Sequence, residues 1–230
     1  MDHATSEHST TSDAFIRHVG HDLRSSLNAV VAWGELVRGG QLPATELARA
    51  GDTIVRQARQ VSRRLADALD LWRLDVGALT VSRAPSQVGA VIRTSAETAR
   101  STFDARRVAC NLDLTQDGTA EFDSSRLAQA LTLLMVDSAS NTPPGEAVDV
   151  ALTRVNGHFE ISVTGGGRVP GAHAFDRDQA DTLSEGPRPF DFGLSLARTL
   201  VCLNGGSLSA EPTESGRLSF VIRLDAKLAA

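Results

Sequence analysis

The sequence is poor in cysteine, in long apolar runs and in excess positive charge. Its two cysteines, Cys110 and Cys202, sit inside apolar segments without metal-type spacing. They read as buried thiols of a cytosolic protein. No stretch approaches the ~20 apolar residues needed to span a bilayer. The polar start, MDHATSEHSTTSD, has no basic-then-apolar leader and is expected to be disordered. Net charge is −5 with no dense run of Lys or Arg, so no nucleic-acid surface is expected. No internal repeat is apparent. What is present is 230 residues with 41% hydrophobic content, enough for one large core or two small ones.

The strongest pattern lies in FIRHVGHDLRSSLNAVVAWGELV, Phe15 to Val37. Ile16, Val19, Leu23, Ser26, Val30, Trp33 and Val37 step alternately by three and four, the a/d seam of a helix packed along its length. In that register His21 falls at f, turned from the seam, with Asp22 at g and Ser25 one turn on. A neutral imidazole is a good nucleophile near pH 7, and phosphoryl transfer asks mainly for position and charge neutralisation. A helix start is expected near Ser12 or Asp13 and a stop at Gly39-Gly40, with Pro43 opening a second helix. Leu47, Gly51, Ile54, Ala58, Val61, Leu65, Ala68 and Trp72 make a second seam. Two long helices on a short link predict an antiparallel hairpin, and two hairpins predict a homodimeric four-helix bundle over residues 12–76.

HDLRSSLNAV resembles the phosphoacceptor box of sensor histidine kinases, with His21, Asp22, Leu23, Arg24 and Leu27 matching and Ser25-Ser26 in place of the usual Thr-Pro. The resemblance implies that His21 is the phosphoacceptor and Asp22 the adjacent acid. Ser25 holds the place of the residue that helps to position water. Only about twenty residues precede His21, fewer than a sensor domain needs.

Beyond Val76-Gly77 the periods alternate. A short strand is expected at Leu79 to Val81, ending at Pro85. A helix follows over Val88–Arg106, then a strand over Val108–Leu114. A helix from Ser124 to about Ser140 carries Leu127, Leu131, Leu134 and Met135 on its apolar face. Two strands flank the hairpin turn Asn156-Gly157. A long loop follows over residues 165–190, then a helix over Phe192–Leu203 ended by Gly205-Gly206. Two closing strands lie around Ser215-Gly216. The order predicts an α+β chain: residues 1–11 a tail, 12–76 the hairpin, and 77–230 a two-layer α/β sandwich.

This second part looks like the ATP-binding domain of the histidine kinase, gyrase and Hsp90 superfamily. RLAQALTLLMVDSASNTPPG matches its N box, GGGRVP its first glycine box, AFDR a shortened phenylalanine box and FGLSLAR the end of its second glycine box. By that resemblance Asp137 stands where an Asn usually holds Mg²⁺ and phosphates, and Leu133 at the earlier Asn. The adenine-binding Asp is Thr164 or Gly165, and Gly165, Gly166 and Gly167 read as a turn. Pro189 and Asp191 replace two leading glycines, while Gly193 fits. An unmatched buried adenine amine costs ~1–3 kcal/mol. A like-charge contact adds to that, and every ~1.4 kcal/mol is a decade in affinity. The expectation is a vestigial nucleotide site at Asp137, Gly165, Gly167 and Gly193, with no tightly bound cofactor.

The resulting expectation is a dimeric cytoplasmic phosphotransferase. His21 exchanges phosphoryl groups with receiver-domain aspartates of response regulators, and Mg²⁺ is supplied by the receiver. Asp22 acts as base or tautomer anchor, Arg24 offsets phosphate charge and Ser25 orients the transferred group. A cytosolic kinase that charges His21 from ATP, and a non-catalytic scaffold that binds a regulator, remain open at this stage.

Overall fold

The computed structural model describes residues 24, 27–40, 42–75, 78–167 and 191–225. The chain divides into two compact units, Met1–Leu79 and Thr80–Ala230.

The first unit is a helical hairpin. Helix α1 covers residues 27–38 and closes where Gly39 N–H donates to Glu35 O at 2.9 Å and Gly40 turns left-handed at φ 65°. The Pro43 carbonyl accepts from Leu47 N–H at 3.0 Å and opens α2, Ala44–Asp75. Along α1 the sheltered positions are Ala29, Val30, Trp33, Gly34 and Val37, so the expected seam holds there. On α2, Ile54, Val61 and Ala68 of the expected seam are sheltered, with Glu46, Ala50, Thr53, Gln57, Asp67 and Asp70, while Leu47, Gly51, Ala58, Leu65 and Trp72 of that seam stand exposed on the single chain. The N-terminal start of the first helix lies outside the described residues.

The second unit has three helices against one face of a five-stranded sheet. Its elements are β1 Ala84–Gln87, α3 Val88–Arg106, β2 Ala109–Asp113, β3 Thr119–Phe122, α4 Ser124–Asn141, β4 Ala147–Val155, β5 His158–Gly165, α5 Asp191–Leu203, β6 Ser207–Pro212 and β7 Leu218–Asp225. The sheet order is β2-β4-β5-β7-β6, with β2 parallel to β4 and the other pairs antiparallel. Helix α4 lies between α3 and α5. Leu127, Leu131, Leu134 and Met135 are fully buried, as their helical spacing requires, against Phe159, Ile161, Phe220 and Ile222 of the sheet layer's core. The β4–β5 turn has both Asn156 (φ 50°) and Gly157 (φ 82°) left-handed, the geometry that suits the twist of a two-residue hairpin.

Two expectations are corrected. The strand predicted at Leu79 to Val81 begins instead at Ala84 and runs through Pro85. It pairs only with β3, Ala84 opposite Phe122, so Pro85 sits in a two-stranded ribbon where a missing N–H is tolerated. The cysteines are not both buried: Cys202 is exposed and Cys110 half-buried. Burial, then the Asp149 charge, pushes the Cys110 thiol above its ordinary value.

Two carboxylates fasten this unit. Asp123 caps α4, accepting from Ser125 and Arg126 N–H at 3.0 and 3.1 Å, and its second oxygen accepts Ser82 N–H at 2.8 Å. Arg217 donates to Asp149 at 2.6 Å, to Ala147 O and to Thr164 O at 2.9 Å, tying β4 and β5 to the start of β7. Burial pushes the Asp123 carboxyl up, but the N–H donors of Ser82, Arg126 and Ser125 outweigh it and hold it below its ordinary value. Arg217, then Asn111, does the same for Asp149. Both folded values lie below the unfolded ones. Their contribution is therefore present above about pH 4 and lost as pH falls through the folded values. In urea titrations, Asp123→Ala is expected to lower stability by about 1 kcal/mol at pH 7, with Asp123→Asn retaining most of it. Asp149→Asn should lessen the loss of stability between pH 4 and pH 2.

Candidate functional site

The expected site residues fall into two groups. His21, Asp22 and Ser25 lie outside the described residues; Arg24 is helical and exposed. Of the second group, Asp137, Gly165 and Gly167 gather where the C-terminal end of α4 meets the end of β5, and Gly193 lies on α5.

Asp137 is nearly buried on α4, one turn before Asn141. The Asn141 amide donates to Asp137 O at 2.9 Å and to its carboxylate Oδ1 at 3.3 Å. The helix then stops at Thr142, which precedes Pro143 and is pushed to extended backbone (φ −85°, ψ 132°). The buried Thr142 hydroxyl donates to Ser138 O at 2.7 Å and accepts Gly166 N–H at 2.7 Å. One side chain thus caps α4 and pins the chain leaving β5.

That bond brings the two backbones close. A Cβ on Gly166 would stand 2.4 Å from Asn141 O and 2.8 Å from Thr142 Cα. A Cβ on Gly165 would meet Thr142 Oγ1 at 2.9 Å and Ser138 Cβ at 3.0 Å. The glycine cluster is therefore a tight packing requirement and not simply a loose turn. Gly167 follows, left-handed at φ 126°, where a Cβ would touch Asn141 and Leu218 at 3.5 Å, and a Cβ on Gly193 would touch Leu133 at 3.7 Å.

The two places where an adenine-binding carboxylate was expected are now distinct. Burial alternates along β5, and Gly165 faces the helix layer. Thr164 faces the other way, its hydroxyl 2.9 Å from the Ser219 hydroxyl. Neither supplies a carboxylate, and the helix-facing place has no room for a side chain unless Thr142 and Ser138 shift. Among the described residues no group of three or more His, Cys, Asp or Glu is placed to hold a metal ion. Asp137, Gly165 and Gly167 are thus brought into one corner, and Gly193 against Leu133. Sequence reasoning missed Thr142 and Arg217. The signal for Thr142 was its position before Pro143-Pro144-Gly145, which ends α4 there.

No protein-family model matches the chain. Curated relatives do. The sensor protein DivL of Caulobacter vibrioides is 29% identical over 216 residues, covering 91% of this chain and 27% of DivL. The histidine-protein kinase/phosphatase MprB of Mycobacterium ulcerans is 27% identical over 215 residues, 87% of this chain and 40% of that protein. The chain thus spans well under half the length of either. Among solved structures, the histidine kinase AdeS of Acinetobacter baumannii superposes with a TM-score of 0.60 at 15% identity, over 90% of this chain and 98% of that one. ShkA, solved with AMPPNP, gives 0.61 at 21% identity over 91% of this chain and 45% of that one. The matches run through both the helical hairpin and the α/β sandwich, so over most of its length the chain is similar to sensor histidine kinases.

Proposed function

We propose that the chain acts as a histidine phosphotransferase, His21 exchanging phosphoryl groups with receiver-domain aspartates of response regulators. The observation that favours this over ATP-driven phosphorylation is the corner at Gly165. Where a kinase needs a carboxylate for adenine there is a glycine, with the Thr142 hydroxyl 2.9 Å from the place of a Cβ. Asp137, the residue left to hold Mg²⁺ and phosphates, already accepts a bond from Asn141.

In this reading the neutral imidazole of His21 attacks the phosphorus of the receiver's aspartyl phosphate in line. The P–N bond forms as the P–O bond to aspartate breaks, and the aspartate leaves as carboxylate. Asp22 takes or anchors the ring proton, Arg24 offsets charge on the phosphoryl oxygens, and Ser25 orients the group. Mg²⁺ arrives with the receiver. The work takes place in the cytoplasm. No helix among the described residues is long and apolar enough to cross a membrane.

The hairpin pairs with a second copy. Leu65, Leu69 and Trp72 step along one side of α2 at 49%, 46% and 60% exposure, and Leu27 and Val31 are bare on α1. Apolar side chains in such a row are covered in a stable assembly.

The alternative is a kinase that charges His21 from ATP, in keeping with the AMPPNP complex of the structural neighbour ShkA. A labelled phospho-receiver is expected to label the wild type, and His21→Ala to remain blank. Labelled ATP with Mg²⁺ should give no label on either; label from ATP on the wild type alone establishes the kinase instead. Light scattering after gel filtration should give twice the 24.4 kDa chain mass for the wild type. Leu65→Asp/Leu69→Asp should elute at the mass of one chain.

A further inference from the structure

The five-stranded sheet ends on one side at β6 and on the other at β2, and the two edges are finished differently. β6 ends in Glu211 and Pro212, a charge and a missing N–H that discourage a further strand. β2 carries no proline, lysine or arginine. Four of its five residues are exposed, Leu112 at 39%.

The parallel ladder decides which backbone groups this edge offers. Ala109 N–H donates to Glu146 O at 2.9 Å, with Ala109 opposite Ala147. In that pattern the N–H and C=O of Ala109, Asn111 and Asp113 turn to β4, and those of Cys110 and Leu112 turn outward. The side chains of Cys110 and Leu112 lie on the helix side, level with the buried Val148 and Val150. The Asn111 amide, on the other face, donates to Asp149 Oδ1 at 2.8 Å and is drawn inward from the edge.

We propose that β2 pairs with β2 of a second copy, antiparallel about a two-fold axis through Asn111, so that two sheets become one. In that register Cys110 stands opposite Leu112 of the second copy, twice over, and each such pair exchanges two backbone hydrogen bonds. Every outward backbone group of the strand is then used. The bare Leu112 side chain gains a Cys110 neighbour on the helix side. Asp113, the one charged residue of the strand, lies opposite Ala109 and within reach of the exposed Arg107 of the second copy. The neighbouring registers fail. Centred on Cys110, the ladder needs Val108 N–H, which already donates to Phe103 O at 3.1 Å. Centred on Leu112, it sets the two Asp113 carboxylates as diagonal neighbours. The strand is thus complementary to itself in hydrogen bonding and in charge, which selects a second copy as its occupant. Five residues a side make a small interface, so the contact is weak and depends on concentration. It does not require the phosphotransferase reading. Where the hairpin also pairs, the two two-fold contacts join dimers into larger assemblies.

The test uses the full chain with Cys110→Ala and Cys202→Ser, carrying either Asn111→Cys or Asp113→Cys, with matched circular dichroism as the condition for comparison. In the proposed register the two Asn111 positions face each other with Cα atoms about 4.5–5.5 Å apart, within disulfide range, and the two Asp113 positions lie about 14 Å apart. Under copper–phenanthroline oxidation at about 100 μM chain, Asn111→Cys is expected to form an inter-chain disulfide at least tenfold faster than Asp113→Cys. Adding Leu112→Lys, which puts a charge on the edge, should slow that linking at least tenfold. Sedimentation of the wild type between about 10 and 300 μM should show a doubling of mass that Leu112→Lys removes. If Asn111→Cys fails to fold, this comparison decides alone. Linking that is equal at both positions, faster at Asp113→Cys, or indifferent to Leu112→Lys overturns the pairing, as does a wild-type mass that does not grow. Doubling that starts from one chain mass upholds the edge contact and overturns the hairpin dimer alone.

Discussion

The hydroxyl of Thr142 holds together the corner where α4 meets β5. It closes α4 by donating to Ser138 O and fixes the exit of β5 by accepting from Gly166. Both partners are backbone groups that would otherwise be left wanting in a buried place, where an unmade bond costs about 1–3 kcal/mol. The bond sets the distance between the last turn of the helix and the strand, and that distance forces glycine at 165 and 166. A sequence change at Thr142, Gly165 or Gly166 therefore alters all three. Beside this helix–strand joint Asp137 is engaged by Asn141.

Across the sheet, Arg217 works in the opposite sense. It reaches two strands beyond its own and gathers a carboxylate and two carbonyls. With Asp123 fastening α4 to the segment before β1, it places the polar ties of the unit at the rim, while the Leu, Ile and Phe layer fills the middle. Strength at the rim depends on ionised carboxylates; the middle does not.

Much of the fold was legible because periodicity and turn chemistry agreed. Val88–Arg106 announced itself by Val88, Val91, Ile92, Ala99 and Phe103, all buried in α3. Asn156-Gly157 announced a hairpin that only left-handed residues can make. What was not legible came from partners distant in sequence. The start of β1 is set by Thr119–Phe122, some thirty-five residues on, and local alternation at Leu79 to Val81 could not reveal that. The parallel pairing of β2 with β4 is a matter of chain path around α4. On α2 spacing gave a seam, of which Ile54, Val61 and Ala68 are sheltered, but not which of its residues the single chain covers. In the corner site the boxes showed which side chains had been replaced. Only the geometry showed that Gly165, and not Thr164, faces the helices, and that Thr142 fills the space beside it.

In their described residues the two units differ sharply in how much interior they possess. In the described part of the first, Ala50 and Leu79 are the only buried apolar side chains, whereas the second unit encloses a continuous layer from Val88 to Leu224. A helix pair with so little enclosed oil gains its free energy from whatever covers it. In the proposed dimer its melting temperature is tied to the amount of protein in the tube. In the dimer proposed above, the hairpin is due to melt before the sandwich on dilution, because the second copy supplies the cover that its own described interior lacks.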